Sequence, residues 1–457
     1  MKLRFLLALW AGKLSVIALR LLRRQGTILP GAIALKICPL FLKYAQYPER
    51  VIAVTGTNGK TTVTNMLHDL LTADGQRVLT NQSGANVTDG LSSMMIRALT
   101  MSGKCCYDVC VYEVDELWTP TIFRWIPPEL ILITNITRDS IARNAHPGYI
   151  SDALNKAIPK SVRLVLNADN PFSAFIAPNN PRSYFGVDLL SSDMPAYANL
   201  IHDGMFCPNC GCRLVWDILH FSDIGRMHCP NCGLKSPERD YTGININTES
   251  GFFDLQDRRG SVRIAMPNAV NFNIYNAVSV AAVLHEMGYK RERIADLFSN
   301  LEMIESRYHC TKVCDTAIFR ILSKDQNAYA NSRVYEYIRT LPGNKEIIYM
   351  CACTDCDKEW SENIAWIYDC DFELLNLPEM RNIVLYGSRA LDYKLRLLLA
   401  GIPEEKISIT DTIENMPDCL KLFPNDQIFI LYGTDCYPIS HKVEAQVIER
   451  LKEERKS

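Results

Sequence analysis

The residues best suited to chemistry lie in a glycine-rich stretch, TGTNGKTT, at positions 55–62. Gly56 and Gly59 permit a tight turn whose backbone N–H groups point at an anion. Lys60 would neutralise the outer phosphates of a nucleotide, and the Thr61 hydroxyl would ligate Mg²⁺. The predicted nucleotide-binding residues of this stretch are Gly56, Thr57, Asn58, Gly59, Lys60, Thr61 and Thr62.

The segments on either side of this stretch support phosphate binding. An apolar run, Val51–Val54, precedes it, and the amphipathic sequence VTNMLHDLLTADG follows it. This order predicts a strand, a turn and a helix whose N-terminal partial charge favours an anion. A glycine-rich turn that binds nothing is the alternative, and Val54 occupies the position of the first glycine in the full GxxxxGK[ST] pattern. The lysine, the threonines and the flanking elements together favour phosphate binding.

Three acids, Glu113, Asp115 and Glu116, close a later apolar strand. A carboxylate at the carboxyl end of a strand can hold Mg²⁺, directly or through water, opposite nucleotide phosphates. A solvated strand end is the plainer interpretation. Because the lysine and threonine of the glycine-rich stretch are also present, we predict that Glu113 and Thr61 ligate magnesium, with Glu113 favoured over Asp115.

Five further residues could complete a nucleotide site. Asn135 and Asp139 follow an apolar strand, where they either orient nucleotide or water or simply form a turn. Asn273 and Asn276 open a helix, and an amide either pairs with the edge of adenine or caps the helix. Arg307 lies at a domain boundary, where it either reaches a γ-phosphate on closure or lies on the surface.

Two CPNC sequences predict a metal site. Eighteen residues separate the second cysteine of the first pair from the first cysteine of the second pair, which is the spacing of a four-thiolate zinc ribbon. Four protein ligands leave no open position, so the site would be structural. A redox pair and a ribbon that binds no metal are alternatives, and Cys212 and His228 are less favoured ligands. The predicted zinc ligands are Cys207, Cys210, Cys229 and Cys232.

Composition limits the class of protein. The 457 residues predict two or three domains, and a hydrophobic content of 48% is typical of a globular protein. The net charge of −2 gives no electrostatic case for a nucleic-acid partner. Seventeen cysteines beside a nucleotide motif favour a reducing compartment, the cytoplasm, over disulfides.

The first 24 residues predict a leucine-rich helix interrupted by cations. At 100° per residue, Lys2, Lys13, Arg20 and Arg24 fall within a wedge of about 40°. Such a helix either lies on a membrane surface or packs on the protein with its cations solvated, and packing is slightly favoured. Lys13 within the apolar region argues against a signal peptide, and no stretch is long enough to span a bilayer.

Strands alternating with helical segments predict an α/β protein with a parallel sheet. Strands are expected at 77–86, 106–116, 128–139 and 162–171, and a helix at 90–99. Residues 1–48 form an amphipathic helix and a connector, and residues 49–304 form a central ATP-binding domain. The ribbon is inserted at about 200–240. Residues 305–457 form a smaller, Rossmann-like α/β domain.

These motifs, in this order, resemble the Mur ligase family. TGTNGKTT is similar to the phosphate loop of that family, in which valine at position 54 is ordinary. EVDE resembles the segment of that family that carries the Mg²⁺ acid, and TNITRD resembles its TN-x-x-x-D segment. NFNIYNA resembles the segment that contacts adenine, with Phe272 in place of histidine. Ser306-Arg307 resembles its GR. The inserted ribbon, the N-terminal helix and SGAN resemble one branch, the MurT-type synthetase subunits.

The resemblance implies a reaction and a partner. ATP would phosphorylate the α-carboxyl of D-glutamate in the stem peptide of lipid II, and ammonia would displace phosphate to leave D-isoglutamine. The ammonia would come from a GatD-type glutaminase, forming a heterodimer through the C-terminal domain. Asp355 would complete the Cys-His pair of that partner, with Asp357 as second choice. ATP, Mg²⁺ and Zn²⁺ are the implied cofactors, and residues 1–24 are the implied contact with the inner face of the membrane.

The C-terminal domain departs from the branch. The sequence TDCDKEWSENIAW carries Asn363 and Ala365 where that branch has Asp and Ser, and SKDQNAY at 323–329 also differs. A stand-alone Mur-type ligase that joins an amino acid to a carboxylate without a glutaminase is therefore an alternative. A non-catalytic scaffold that binds nucleotide is the second.

Overall fold

A computed structural model describes the chain except for residues 1, 25, 82–84, 140–145, 191–192, 194–198, 248–249, 267–270, 302–307, 324–326, 351–363, 424–425, 434–435 and 456–457. The side chains of 271–273 and 308 are also outside the description. The chain divides into two compact units. The first comprises Met1–Thr137, His146–Pro195 and Asp203–Glu302, and the second comprises Arg138–Ala145, Ala196–His202 and Met303–Ser457.

The first unit is built on a nine-stranded sheet with the order β11-β10-β9-β6-β5-β4-β1-β3-β2. Seven strands are parallel, and β10 and β11 add an antiparallel edge. The central strand β1 is buried from its second residue to its last, as expected where both faces of a parallel sheet are covered. The strands are β1 (Arg50–Thr55), β2 (Val78–Leu79), β3 (Val109–Glu113), β4 (Leu130–Ile133), β5 (Arg163–Asn167), β6 (Arg182–Val187), β9 (Tyr241–Asn247), β10 (Phe252–Asp257) and β11 (Gly260–Ala265).

Helices cover this sheet, and the N-terminal helices are part of its core. Phe5, Ala8 and Leu9 of α1 belong to the same apolar cluster as Ala53 of β1 and Tyr112 of β3. Packing on the protein is therefore confirmed for one face of α1. The helices of this unit are α1 (Lys2–Leu21), α2 (Leu29–Ile37), α3 (Phe41–Tyr44), α4 (Lys60–Ala73), α5 (Thr88–Ala98), α6 (Thr119–Trp125), α7 (Pro147–Ala157), α8 (Pro171–Ala174), α9 (Asn271–Glu286) and α10 (Arg291–Ser299).

The two cysteine pairs flank a separate antiparallel hairpin, β7 (Val215–Phe221) with β8 (Ile224–His228). The hairpin is attached to the sheet of the first unit. The Gly225 N–H donates to the Asp169 carbonyl at 2.7 Å, and His220 contacts the Asp193 carboxylate at 2.6 Å. This segment is thus an insertion that interrupts the α/β alternation between β6 and β9.

The second unit has a six-stranded sheet with the order β12-β13-β17-β14-β15-β16, in which only the edge strand β12 is antiparallel. It confirms the predicted second α/β fold. Its strands are β12 (Tyr308–Val313), β13 (Thr316–Leu322), β14 (Lys345–Met350), β15 (Met380–Tyr386), β16 (Ile407–Ile409) and β17 (Gln427–Tyr432). Its helices are α11 (Ala328–Thr340), α12 (Ala365–Tyr368), α13 (Ala390–Leu399) and α14 (Tyr437–Glu454).

The observed elements are shorter than the sequence predicted. The strand expected within 77–86, ahead of a polar turn, is only β2, two residues long. The prediction also omitted β6 and the antiparallel pair β10 and β11. None of the described helices combines the length and the apolar character needed to cross a membrane.

Candidate functional site

The glycine-rich stretch joins the end of β1 to the start of α4, as a phosphate loop requires. Gly56 has φ +121° and Gly59 has φ +89°, values that L side chains rarely adopt. A Cβ at Gly56 would collide with the Thr134 hydroxyl, and one at Gly59 would lie 2.5 Å from Asn276 Oδ1. Both positions therefore need glycine for space as well as for conformation.

The segment after β4 holds the loop in place. The Thr57 N–H donates to the Asn135 carbonyl at 2.8 Å, and the Asn58 N–H donates to Asn135 Oδ1 at 3.2 Å. The Thr134 hydroxyl donates to the Asn58 carbonyl at 2.7 Å. Asn167, at the end of β5, supports this segment through a 3.0 Å bond to the Thr134 carbonyl. Asn135 thus braces the loop, a role that the sequence prediction did not include.

Lys60 is the first residue of α4, and its ammonium group turns back over the loop. Nζ lies 2.8 Å from Glu116 Oε1 and 2.5 Å from the Gly56 carbonyl. Burial alone would lower the pKa of Lys60, but the carboxylates of Glu116 and Glu113 outweigh it and raise the pKa above its ordinary value. Lys60 is therefore a fixed cation at neutral pH.

Thr61 and Glu113 meet beside this lysine. The Thr61 hydroxyl donates to Glu113 Oε2 at 2.8 Å, and Asn86 Nδ2 donates to Oε1 at 3.1 Å. Asn81 fixes the backbone of Glu113 through bonds of 2.8 and 2.9 Å. A hydroxyl and a carboxylate held together in this way offer the hard oxygen ligands that Mg²⁺ prefers.

Three carboxylates lie close to Lys60 at this edge of the sheet. Glu113, Asp115 and Glu116 are all at least 95% buried, and Lys60 is the cation that contacts Glu116 directly. Asp115 accepts from the Leu117 N–H at 3.1 Å, which caps the turn that carries Glu116. Burying several negative charges is costly unless cations compensate them. The donor set therefore fits a divalent cation.

Helix α9 connects the loop to the ribbon. Asn276 faces Gly59, and its neighbour Tyr275 donates to Asp169 Oδ2 at 2.9 Å. Asp169 is fully buried and also accepts from Arg239 at 2.7 and 2.9 Å. The ring of Tyr275 packs edge-on against His220 of the hairpin. The sequence pattern placed Asp169 at the polar end of its strand, and it missed Tyr275, which carries no motif signal.

Some predicted residues cannot be placed. Arg307 and Asp355 lie outside the described residues, as does the side chain of Asn273. Asp139 groups with the second unit, and the question of its role stays open. The structure instead brings Asn276, the second asparagine of that helix, to the loop.

The four predicted cysteine ligands converge on one point. Their sulfur atoms all lie within 4.8 Å of one another, and they form the one metal-ligand cluster found among the described residues. Sγ of Cys207 and Cys232 are 3.5 Å apart, as are those of Cys210 and Cys229. Tetrahedral zinc with bonds of about 2.3 Å requires sulfur separations of about 3.8 Å. The donor set therefore fits Zn²⁺.

Local contacts favour thiolates at Cys210 and Cys229. A hydrogen bond from Asn231 and the backbone N–H of Cys212 lower the pKa of the Cys210 thiol to about 6. Hydrogen bonds from the backbone N–H groups of Cys232 and Asn231 lower the pKa of the Cys229 thiol. At Cys232 a backbone hydrogen bond to Leu234 lowers the pKa, but the contact with Cys207 and burial outweigh it and raise the pKa to about 12. His228 instead contacts Asp217 at 3.0 Å and is not among the converging ligands.

Comparison with known proteins identifies the class first. A pseudomurein peptide ligase type C from Methanothermus fervidus superposes with a TM-score of 0.69 at 18% identity, over 89% of this chain and 80% of that one. MurF from Acinetobacter baumannii superposes with a TM-score of 0.64 at 17% identity, over 91% and 80%. The fold is therefore that of the Mur ligases, and residues 54–192 match the Mur ligase middle domain.

Sequence relatives identify the family. Residues 326–434 match the MurT ligase C-terminal domain. The MurT subunit of lipid II isoglutaminyl synthase from Streptococcus pneumoniae is 30% identical over 91% of this chain and 91% of its own length. The MurT subunit from Staphylococcus aureus strain COL is 29% identical over 86% and 88%. This chain belongs to the MurT family, ATP-dependent ligases of peptidoglycan synthesis, which confirms the resemblance inferred from the motifs.

Proposed function

We propose that this chain is the synthetase subunit of a lipid II isoglutaminyl synthase. It would convert the α-carboxyl of D-glutamate in the stem peptide to the amide of D-isoglutamine, with ATP as the phosphoryl donor. The observation that carries the proposal is the 30% identity to a MurT subunit over 91% of both chains, together with the Lys60–Thr61–Glu113 geometry.

Each residue of the loop has a role in this proposal. The backbone N–H groups of the loop and the helix α4 N-terminus would cradle the phosphates of ATP. Lys60 would exchange its contact with Glu116 for the outer phosphates and neutralise charge as the γ-phosphoryl group moves. Thr61 and Glu113 would hold Mg²⁺, which supplies charge neutralisation on the phosphate oxygens. An Mur ligase of the same fold, MurF from Thermotoga maritima, has been solved with ADP.

The proposed chemistry has two steps. A carboxylate oxygen of D-glutamate attacks the γ-phosphorus, the bond to ADP breaks, and an acyl phosphate forms. Ammonia then attacks the acyl carbon, inorganic phosphate leaves, and the surplus proton passes to solvent or to a nearby base. The loop residues act in the first step, since charge develops there on the transferred phosphoryl group.

We propose that zinc in the ribbon is structural. All four ligands are protein thiols, and no coordination position is left for a substrate. Cys229→Ser should lose zinc from the purified protein and lower its melting temperature, whereas Cys212→Ser should keep one zinc per chain. Equal zinc content in the two variants, measured by mass spectrometry of metals, would refute the assignment.

The partner in this proposal is a GatD-type glutaminase. The relatives are named as subunits of a glutamine-hydrolysing enzyme, which supports a heterodimer in which the partner supplies ammonia. Asp355 is the residue that we propose to complete the Cys-His pair of the partner, and Arg307 and Asn273 are proposed to contact ATP. The reaction would take place at the cytoplasmic face of the membrane, where lipid II is assembled.

The deciding experiment measures the nitrogen source. The purified chain is incubated with lipid II, ATP and Mg²⁺, with either ammonium or glutamine, and with or without the glutaminase, and the product is weighed by mass spectrometry. Replacement of a hydroxyl by an amino group is expected with ammonium alone and with glutamine only when the partner is present. No amidation under any condition, with ATP binding intact, would favour a non-catalytic scaffold.

A second candidate is a stand-alone Mur-type ligase. It is favoured by Asn363 and Ala365, which differ from the partner-facing pattern of the branch. The variant Asp355→Asn distinguishes the two candidate functions. If the partner triad is retained, this variant loses glutamine-driven amidation and keeps ammonium-driven amidation. Joining of an amino acid to the carboxylate, with no glutamine-driven amidation when the glutaminase is present, would favour the stand-alone ligase.

A further inference from the structure

Helix α1 has two apolar faces, and the core explains only one. Phe5, Ala8, Leu9 and Gly12 are buried against the first unit. A second set of large apolar residues is exposed on the same helix, with Leu14 67% and Leu21 81% exposed. We call this set the α1 stripe, and its members are Leu3, Leu7, Trp10, Leu14, Ile17 and Leu21.

The α1 stripe is continuous and lies opposite the buried face. Its members recur every three or four residues, so at 100° per residue they fall within an arc of about 80°. The centre of that arc is about 170° from the centre of the buried face. Contiguous exposed apolar surface of this kind marks an interaction site.

The first unit holds α1 firmly, so the stripe is a fixed surface. Lys13 Nζ donates to the Ile96 carbonyl at 2.8 Å, and Trp10 Nε1 donates to the Met101 carbonyl at 2.9 Å. Gly12 faces Ile96 at a distance that leaves no room for a Cβ. Lys13 and Gly12 lie outside the stripe, whereas Trp10 belongs to it and ties it to the first unit through its indole N–H, with the remaining stripe side chains exposed.

Charge decides what covers the stripe. Residues 1–48 contain eight Lys and Arg and no Asp or Glu, although the whole chain carries a net charge of −2. Lys2 and Arg20 flank the stripe on one side, Arg24 follows the C-terminal end of α1, and all three are exposed. A second copy of this chain would bring eight further cations against these. An anionic partner surface with an apolar interior is the complementary match.

A cavity of about 220 Å³ lies beside the same flank. Three arginines, Arg20, Arg24 and Arg97, line it together with the apolar residues Val16 and Leu19. Arginine side chains are well suited to bind phosphate oxygens. A lipid has both features required here, a phosphate for the cavity and acyl chains for the stripe.

We infer that the α1 stripe and the arginine-lined cavity dock the chain onto an anionic phospholipid bilayer, with α1 lying in the interface plane. This inference deepens the proposed function. It rests on that function in one respect, that the acceptor of the reaction is linked to a lipid. The docking itself needs no acceptor and no ATP, so it can be tested apart from the reaction.

The first test is cosedimentation of the full chain with vesicles. Wild-type protein should bind vesicles of phosphatidylglycerol and phosphatidylcholine and should bind phosphatidylcholine alone at least tenfold more weakly. A triple variant of the stripe, Leu7→Gln, Leu14→Gln and Ile17→Gln, should lose at least tenfold in affinity for the anionic vesicles. The matched control changes three exposed leucines of α13, by Leu391→Gln, Leu395→Gln and Leu399→Gln, and should bind as wild type does.

Two further measurements separate the features. Arg20→Gln and Arg24→Gln should each weaken anionic vesicle binding about fivefold and reduce its dependence on salt. Brominated lipids should quench the fluorescence of Trp10, so that the quenching is lost in Trp10→Phe. Both results would support insertion of the stripe.

Three results would overturn the inference. The stripe variant could bind anionic vesicles as tightly as wild type, or wild type could fail to bind them. Sedimentation velocity could also show that wild type self-associates and that the stripe variant is monomeric, which would make the stripe an interface between copies. Amidation of detergent-solubilised lipid II should be unchanged in the stripe variant, so failure of docking and failure of the proposed reaction are distinguishable.

Discussion

The phosphate loop and the cysteine ribbon use the same backbone device in different surroundings. Each relies on two glycines with positive φ: Gly56 and Gly59 in the loop, and Gly211 and Gly233 in the ribbon. The loop glycines are crowded by neighbouring side chains, whereas a Cβ at either ribbon glycine would meet nothing within 4 Å. Because the loop glycines are crowded, any side chain at these positions would disturb the space in which a ligand must approach the backbone closely.

The loop and the ribbon also differ in the side chains that they offer to a ligand. The ribbon gathers four equivalent thiols, which satisfy one metal completely. The loop gathers an ammonium, a hydroxyl and carboxylates, each with a protein contact that a ligand could replace. The comparison separates a closed site, which stabilises structure, from an open one, which can exchange its partners during a reaction.

The largest effect is expected from removing the cation of the open site. Lys60→Ala should reduce ATP-dependent amidation by about 10²–10³-fold, because charge on the transferred phosphoryl group loses its nearest protein cation. The exposed Lys104→Ala is the control and should be fully active. Amidation at the wild-type rate in Lys60→Ala would mean that this loop is not the phosphate site.

Glu113→Gln should lower amidation by about 10²-fold. The amide keeps the hydrogen bond to Thr61 but removes the charge that would bind Mg²⁺, so the magnesium concentration for half-maximal rate should rise. The exposed Glu292→Gln serves as the control. An unchanged magnesium dependence in Glu113→Gln would assign the metal to another acid.

The glycines test the comparison directly. Gly59→Ala should weaken ATP binding at least tenfold, because its Cβ has no space beside Asn276. Gly211→Ala should only lower stability, by about 1 kcal/mol for the positive φ, with ATP affinity unchanged. Calorimetry of nucleotide binding and thermal melts distinguish the two variants. Equal losses of ATP affinity in Gly59→Ala and Gly211→Ala would contradict the difference proposed between the loop and the ribbon.

Tyr275→Phe asks whether the open and closed sites are independent. Loss of the bond to the buried Asp169 carboxylate should cost about 1.5–3 kcal/mol of stability. Because Asn276 follows on the same helix, the apparent KM for ATP should rise severalfold while kcat and zinc content change little. A KM equal to that of wild type would show that the ribbon attachment and the loop do not communicate through α9.

The smallest effect is expected from alkaline pH. The pKa of Lys60 is raised above its ordinary value of 10.5, so its charge is present at every pH below that and is lost only above it. ATP affinity should therefore not fall through this group between pH 7 and 9. A decline with a midpoint near pH 8, absent from Lys60→Ala, would contradict the raised pKa.

The sequence predicted the parts of the site that follow spacing rules. The loop, the carboxylate at the end of β3 and the four thiols were all identified from local patterns, because their chemistry requires residues close together in the chain. The contacts that depend on topology were not. The Lys60–Glu116 pair, the bonds from Asn81 and Asn86 to Glu113, and the Asp169–Tyr275 bond join segments that only the sheet order brings together.

The fold class was predicted correctly, and the strands that were missed were missed for similar reasons. The pattern of buried parallel strands was correct at β1, β3, β4 and β5, whose apolar runs are continuous. The antiparallel strands β10 and β11, at one end of the sheet, carry alternating polar residues, and the edge strand β2 at the other end is two residues long. Local sequence gives little signal for such edges, since pairing with a neighbour rather than burial defines them.

The way in which α1 joins the core fixes orientation and reach. Phe5 and Leu9 share a core cluster with Ala53, which lies in the strand that leads into the phosphate loop. A bilayer that holds α1 would consequently set the tilt of the whole first unit and the height of its loop above the headgroups. The peptide of the acceptor would then have to reach the phosphate loop over a fixed distance from the membrane. The length of that peptide would therefore become a criterion for selecting substrates.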